Sequence, residues 1–280
     1  MQIKFYKYHA LSNDFILIDS SQSKISKQSL SNTVQQLCHR NRGVGADGLL
    51  YLSKAKSDTV TVDVYNSDGG WAEKSGNGLR IAGLHLHRQN SKMRNFVISM
   101  GGTKSRVRLV SKTKHDAMLT TEIARPSFET SEIPVKSKLQ FMINSSLNID
   151  GTEFPVTCLS VGNPHTVLFV DNFDFDWQQI GADIENHEVF PNGTNVEFVK
   201  VISSKKLQVA DWERGVGPTG SSGTAAAAAV AASVMLGVAA RKCKVVFETG
   251  EIEVNWRESD DIIEISGPVQ FICEGIFDSQ

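Results

Sequence analysis

Cysteine is scarce in this 280-residue chain and nowhere paired by spacing. Cys38, Cys158, Cys243 and Cys273 form no Cys-x-x-Cys motif and share no zinc-ligand spacing with histidine. That excludes a zinc finger or a disulfide framework, so no metal is assigned. Four isolated thiols read as small buried hydrophobes and fit a reducing cytoplasm. A dominant charge is also missing. The net charge is −2, with both signs spread along the chain, which leaves no electrostatic case for nucleic acid or an anionic membrane. The first residues, Met1-Gln2-Ile3-Lys4-Phe5-Tyr6-Lys7, alternate as a strand does and lack the apolar core of a signal peptide. Only Ser221 to Ala240 runs twenty residues without a charge. Its length would permit a membrane span. It is mostly alanine with scattered serine and glycine, and so reads as a helix of small residues enclosed by sheet.

Short strand patterns are frequent: Phe15–Ile18, Gly48–Leu52, Val60–Tyr65, Asn95–Ile98 and Val107–Val110, then Thr166–Val170, Asn195–Val199 and Lys244–Phe247. Helical patterns are fewer: Ser29–His39, Gly76–Gln89 and Gly223–Ala240. Many strands with one matched helix per half predict an α+β fold. The expected architecture is two pseudo-symmetric domains, each a curved mixed sheet around a central helix. The boundary is expected in the polar, proline-containing segment 112–135, with no low-complexity linker. The expected domains are 1–122, with 268–280 returning to it, and 123–267. The length suits two domains of ordinary size.

Two stretches repeat each other at an offset of 147 residues. Tyr65-Asn66-Ser67-Asp68-Gly69-Gly70 and Ser75-Gly76-Asn77-Gly78 align without a gap on Trp212-Glu213-Arg214-Gly215-Val216-Gly217 and Ser222-Gly223-Thr224-Ala225. Each copy runs from a strand through a glycine-rich turn into an apolar helix. A small-residue helix start exposes free N–H groups at the positive end of the dipole. Two such ends facing each other across a cleft would hold one carboxylate, with a hydroxyl on each side of it. The plainer alternative is a pair of N-caps without chemistry, placed alike by a duplicated fold. A second pairing, Ser12–Asp19 with Gly162–Asp171, supports duplication.

Asn13, Asn66, Asn163 and Asn195 flank strand ends. Singly, each is an ordinary turn former; four beside one cleft suit orientation of a polar ligand. Glu213-Arg214 is of a kind that usually forms a structural ion pair, yet it would also suit an amino-acid ligand, with Arg for carboxylate and Glu for ammonium. His165 is a candidate acid–base aid, though a lone histidine is more often structural.

Seven separated motifs resemble those of diaminopimelate epimerases and span nearly the whole chain in that family's order. They are His9-Ala10-Leu11-Ser12-Asn13-Asp14-Phe15, Gly43-Val44-Gly45-Ala46-Asp47-Gly48, Asn66-Ser67-Asp68-Gly69, Ser75-Gly76-Asn77-Gly78, Gly162-Asn163-Pro164-His165, Thr194-Asn195-Val196-Glu197-Phe198 and Glu213-Arg214-Gly215-Val216-Gly217. The resemblance implies inversion of an amino-acid α-carbon by two-base proton transfer, with no pyridoxal phosphate, no metal and no other cofactor. It implies an α-carboxylate on the N–H groups of Gly76, Asn77, Gly223 and Thr224. The distal end of the substrate would be held by Asn66, Asn163, Asn195, Glu213 and Arg214, with Asn13 nearby. The partners so implied are a small amino-acid substrate and a second copy of the chain in a homodimer.

The departures fall at the centre of that chemistry. The family's two acid–base cysteines are Ser75 and Ser222 here. Pro218 stands where many members have a carboxylate, Gly193 where many have arginine, and Gly220, Ala225 and Ala226 also differ. A serine hydroxyl is far harder to deprotonate than a thiol and needs an adjacent base; Glu213 or His165 would have to serve. Three readings follow: an epimerase working through hydroxyls, a same-fold isomerase or eliminating enzyme with one-sided proton transfer, and a diamino-acid-binding homologue without turnover. The first is preferred because every other pocket position survives.

Overall fold

In β1 (Gln2–Ala10) Ile3 and Phe5 are buried in alternation, and beyond a register shift between Lys7 and Tyr8 the buried residues are Tyr8 and Ala10, so the strand turns first one face and then the other to a core. The computed structural model describes residues 1–54, 59–113 and 116–279. It divides into one unit of residues 1–121 with 266–280 and another of residues 122–265. The segment 112–135 includes two residues, 114 and 115, that lie outside the described residues.

In the first unit β1 is followed by β2 (Asn13–Asp19), α1 (Lys27–Cys38), β3 (Gly48–Lys54), β4 (Val60–Asn66), β5 (Trp71–Ala72), α2 (Gly76–Gln89), β6 (Asn95–Met100), β7 (Thr103–Lys112) and β8 (Asp116–Glu122). The second unit contains β9 (Ser145–Ile149), β10 (Thr152–Ser160), β11 (Pro164–Phe169), α3 (Trp177–Glu185), β12 (Asn195–Ser203), β13 (Lys206–Glu213), β14 (Gly217–Thr219), α4 (Gly223–Met235), β15 (Lys242–Phe247) and β16 (Gly250–Trp256). The last strand, β17 (Ile263–Asp278), lies in the first unit from residue 266 onward.

The first unit's sheet closes on itself. β1 pairs with β2, β2 with β3 in parallel, β3 with β4, β4 with β6 in parallel, β6 with β7, β7 with β8, β8 with β17 and β17 with β1. Closure leaves no free edge in this ring. The central α2 is buried from Gly76 to His87, as a helix enclosed on all sides must be. Leu79, Ile81, Ala82, Leu84 and Leu86 pack there against Leu17, Leu50, Val64, Ile98, Val107 and Leu119. A second cluster under α1 joins Leu30, Val34 and Leu37 to Ile16, Ile18 and Leu49.

The second unit repeats the pairing residue for residue. Leu49 faces Tyr65 and Val196 faces Trp212; Val64 faces Ala72 and Asp211 faces Thr219. Val60 meets Ile98 in parallel, and Leu207 meets Val245 in the same way. Ile98 then faces Ser105 as Val245 faces Ile252. Each second pair is the first displaced by 147 residues, so the repeat is a repeat of hydrogen-bond register. The match extends to the turns: Ser12 and Gly162, which precede β2 and β11, both have positive φ, +66° and +104°.

Two expectations need adjusting. The apolar run 223–240 is helical only to Met235, because Gly237 takes a left-handed φ of +71° and closes the helix. The helix α3 has no counterpart among the sequence-based expectations; its cap is Asp176, whose carboxylate accepts the N–H of Gln179. Within α4, alanines 225–229, 231 and 232 are buried almost completely. Small side chains let the surrounding strands approach the axis closely. Among the described residues, no helix is long and apolar enough to cross a membrane.

Candidate active site

Each Ser-Gly turn opens a central helix. Ser75 is the N-cap of α2, with extended backbone at φ −138°, and its Oγ accepts the N–H of Gly78 at 3.0 Å. Ser222 caps α4 in the same way, at φ −134°, and its Oγ accepts the N–H of Ala225 at 3.3 Å. Both serines are half-buried. The caps satisfy one orphan donor each. Gly76, Asn77, Gly223 and Thr224 form the first turns behind them and are buried. At Gly78 a Cβ would lie 2.9 Å from Leu50 Cδ2 and 3.2 Å from Ser75 Cβ, so a side chain there would push the end of Leu50 aside.

In the first unit the amides form a chain. Asn77 Nδ2 donates to Asn13 Oδ1 at 3.0 Å, and Asn13 Nδ2 donates to Asp47 Oδ2 at 3.1 Å. Asp47 and Asp14 are tied by Arg40, at 2.6 and 3.0 Å, and Lys7 reaches Asp14 at 2.9 Å. Burial would raise the Asp14 carboxyl, but Lys7 and Arg40 outweigh it and hold the group below the usual range. Asn66 ends β4; its N–H donates to Gly70 O, and Gly69 adopts φ +85° to close the turn. Ser75 N–H donates to Met100 Sδ at 3.2 Å, which ties the cap to the β6–β7 hairpin.

In the second unit His165 is buried with both ring nitrogens occupied. Nδ1 meets Glu197 Oε1 at 2.6 Å and Nε2 meets Asn163 Oδ1 at 3.0 Å. Asn195 is similarly committed: Nδ2 donates to Pro164 O at 2.7 Å, and Oδ1 accepts the N–H of Arg214 at 3.0 Å. The Glu213–Gly217 turn is braced by Glu185 of α3. That carboxylate accepts Trp212 Nε1 at 2.6 Å and Gly215 N–H at 2.8 Å. Glu213 and Arg214 are half-buried, and Arg214 Nη1 donates to Asn192 O. The stem of Arg214 lies over Gly193, where a Cβ would sit 3.2 Å from its Cγ and Cδ.

Several of these partners were not foreseeable. Glu185 sits on a helix the sequence did not announce. Asp47 and Met100 act through contacts between elements far apart in the chain. Asp211 and Glu197 face each other across β12 and β13. Both are buried, and Asp211 Oδ1 and Glu197 Oε2 have no partner among the described residues. Desolvation pushes both carboxyls up, Asp211 strongly, since the Thr219 hydroxyl bond offsets only part of it; His165 moderates the rise at Glu197. A raised folded-state value favours the protonated carboxyl in the native protein. The unfolded chain ionises near pH 4, so the penalty on folding is absent below that pH and grows as pH rises toward the folded value. Asp211→Asn keeps an acceptor for Thr219. It is expected to be more stable than the parent at pH 8, with the gain vanishing near pH 4, as read by thermal melts across pH. An equal gain at both pH values, or a loss at pH 8, would remove this account.

A mixed sheet wrapped on a capped helix and repeated by duplication is the fold of epimerase and racemase structures. A hydroxyproline epimerase from Agrobacterium vitis, solved with bound trans-4-OH-L-proline, superposes with TM-score 0.69 at 11% identity, covering 99% of this chain and 91% of that one. A PhzF-family phenazine biosynthesis protein from Bacillus anthracis gives TM-score 0.69 at 12% identity over 100% of both chains. The family model for diaminopimelate epimerase matches residues 5–124 and 157–272. The diaminopimelate epimerase of Caldanaerobacter subterraneus subsp. tengcongensis is 36% identical over 98% of both chains. The chloroplastic diaminopimelate epimerase of Oryza sativa subsp. japonica is 35% identical over 98% of this chain and 79% of its own. The chain belongs to the diaminopimelate epimerase family.

Proposed function

We propose that this protein inverts the α-carbon of diaminopimelate, or of a close amino-acid analogue, by proton transfer without a cofactor. Ser75 and Ser222 take the two acid–base positions. The observation that carries the reading is the doubled N-cap: two hydroxyls on matched helix starts, in a chain of this family, with the surrounding amide positions retained. The N–H groups of Gly76, Asn77, Gly223 and Thr224, in the first turns of the two helices, suit a carboxylate. Asn13, Asn66, Asn163, Asn195, Glu213 and Arg214 serve the distal amino-acid end. His165 has both nitrogens engaged and so acts by orienting Asn163. Glu213 remains the candidate base for a hydroxyl. The four free thiols fit a cytoplasmic location.

The test is proton–deuterium exchange at the α-carbon of diaminopimelate in deuterated water. Exchange with inversion supports the proposal. Exchange or elimination without inversion assigns one-sided proton transfer, and binding without exchange assigns a diamino-acid-binding protein. The distal site has its own test. Arg214→Ala is expected to weaken diaminopimelate binding by about 1.5–3 kcal/mol, the scale of a hydrogen bond to a charged group. Unchanged affinity by calorimetry would withdraw Arg214 from the site.

A further inference from the structure

Arg80 is the largest fully buried side chain among the described residues, on the central helix of the first unit. Nη2 donates to Asn77 Oδ1 in the first turn of α2, while Nε and Nη1 have no partner among the described residues. The guanidinium packs on Gly267, where a Cβ would lie 3.2 Å from Cζ and Nε. Burial pushes the guanidinium down to about 10, and no charged group among the described residues offsets it. A buried cation without a counter-ion is costly, and a charge kept against such a cost points to function rather than packing.

The repeat supplies an internal comparison. Displaced by 147 residues, Asn77 falls on Thr224 and Arg80 on Ala227. The second helix start therefore has the same cap and dipole without the cation. Conversely, Leu50 and Val64 of the first unit correspond to Glu197 and Asp211 of the second. One helix start has a fixed positive charge in its wall, and the other unit has carboxyls at the matching strand positions.

We infer that Arg80 is a positioning residue of the Ser75 side: it fixes the Asn77 amide through Oδ1 and supplies the buried positive charge that favours an anion at the α2 N-terminus. The two acid–base positions are then unequal, with proton removal favoured at residue 75 relative to residue 222. The other ionisable groups packed around α2 are engaged elsewhere. Tyr8 of β1 bonds His85, which approaches Asp19 of β2. Asp14 is held by Lys7 and Arg40, and Asp47 by Arg40. Glu73 and Lys74 precede the cap and remain in every variant compared. This inference rests on the reading of Ser75 and Ser222 as acid–base positions, but its test needs no turnover.

Ser75→Cys and Ser222→Cys, each in a Cys273→Ser background that removes the exposed native thiol, place a titratable reporter at each cap. The rate of iodoacetamide alkylation against pH, followed by mass spectrometry, reads the thiol. Ser75→Cys is expected to titrate about one unit or more below Ser222→Cys, the scale of a nearby opposite charge. Adding Arg80→Met is expected to slow alkylation of Ser75→Cys at pH 7 about tenfold, while leaving Ser222→Cys unchanged. Arg80→Lys, which keeps the charge, should retain most of the low titration. Equal or reversed order of the two reporters overturns the inference. So does a folded Arg80→Met variant whose Ser75→Cys thiol titrates as before, which would make Arg80 a packing residue only. Where Arg80→Met fails to fold, Arg80→Gln makes the same comparison, and the order of the two reporters needs no change at Arg80. If the thiols titrate as stated but no α-proton exchange occurs, the proposed reaction fails and this inference stands.

Discussion

Replacing both Ser75 and Ser222 by cysteine is expected to raise α-proton exchange and epimerisation of diaminopimelate by about 10²–10⁴-fold near neutral pH, the usual contribution of a matched general base. A thiol has an unperturbed pKa of about 8.5, and a helix N-terminus lowers it. Both the protonated and deprotonated forms are then available in useful amounts. A hydroxyl supplies almost no base. Here Ser75 Oγ meets the N–H of Gly78, and Ser222 Oγ meets the N–H of Ala225 and the hydroxyl of Thr224. Each of these partners is an N–H donor or another hydroxyl, none of them a base. The single variants should gain less, since inversion needs an acceptor on one face of the carbon and a donor on the other. The exchange costs stability at each cap, at most about 1–2 kcal/mol apiece. A double variant that binds diaminopimelate tightly yet exchanges no α-proton would sink the proposal. It would mean that Pro218, Ala225 or other departures have also altered the site.

Gly101→Ala is expected to destabilise the protein by more than about 3 kcal/mol, among the large effects of a single substitution. Gly101 and Gly102 form a two-residue hairpin loop between Met100 and Thr103, with φ of +56° and +79°. Positive φ at both positions is what the tightest right-twisting hairpin turn demands. The two glycines differ in their surroundings. A Cβ on Gly101 would lie 2.1 Å from the carbonyl oxygen of Glu73, whereas one on Gly102 meets nothing within 4 Å. Gly102→Ala therefore carries only the left-handed penalty, about 1–2 kcal/mol, and serves as the control. The clash at 101 is with the segment that leads into the Ser75 cap, which Met100 also holds through its sulfur. Urea unfolding of the two variants decides the matter. Equal midpoints would show that the hairpin tip does not press on the helix start.

The sequence by itself determined the local grammar of this fold. Ser75 and Ser222 are legible as helix starts because a small polar residue, glycine and then an apolar run satisfy N-terminal donors locally. Strands such as β7 and β15 are legible because alternation reports one buried face, and β2 and β11 because a short apolar run reports burial on both faces. The 147-residue repeat was readable because β4, α2 and their later copies kept their turn residues. It proved to hold at the level of strand register, pair by pair. Tertiary structure decided the rest, for reasons that are not local. Gly237 ended α4 five residues before the apolar run stopped, since a left-handed residue overrides composition. The helix α3 and its Glu185 brace became visible only when the Glu213–Gly217 turn was seen beside them. His165 looked available for proton transfer, but Glu197 and Asn163 occupy both its nitrogens. Arg80 and Asp211 read as ordinary charged residues along the chain. What sets their chemistry is that, among the described residues, one has no counter-ion and the other no partner for its second carboxyl oxygen, and only packing determines which groups come within reach.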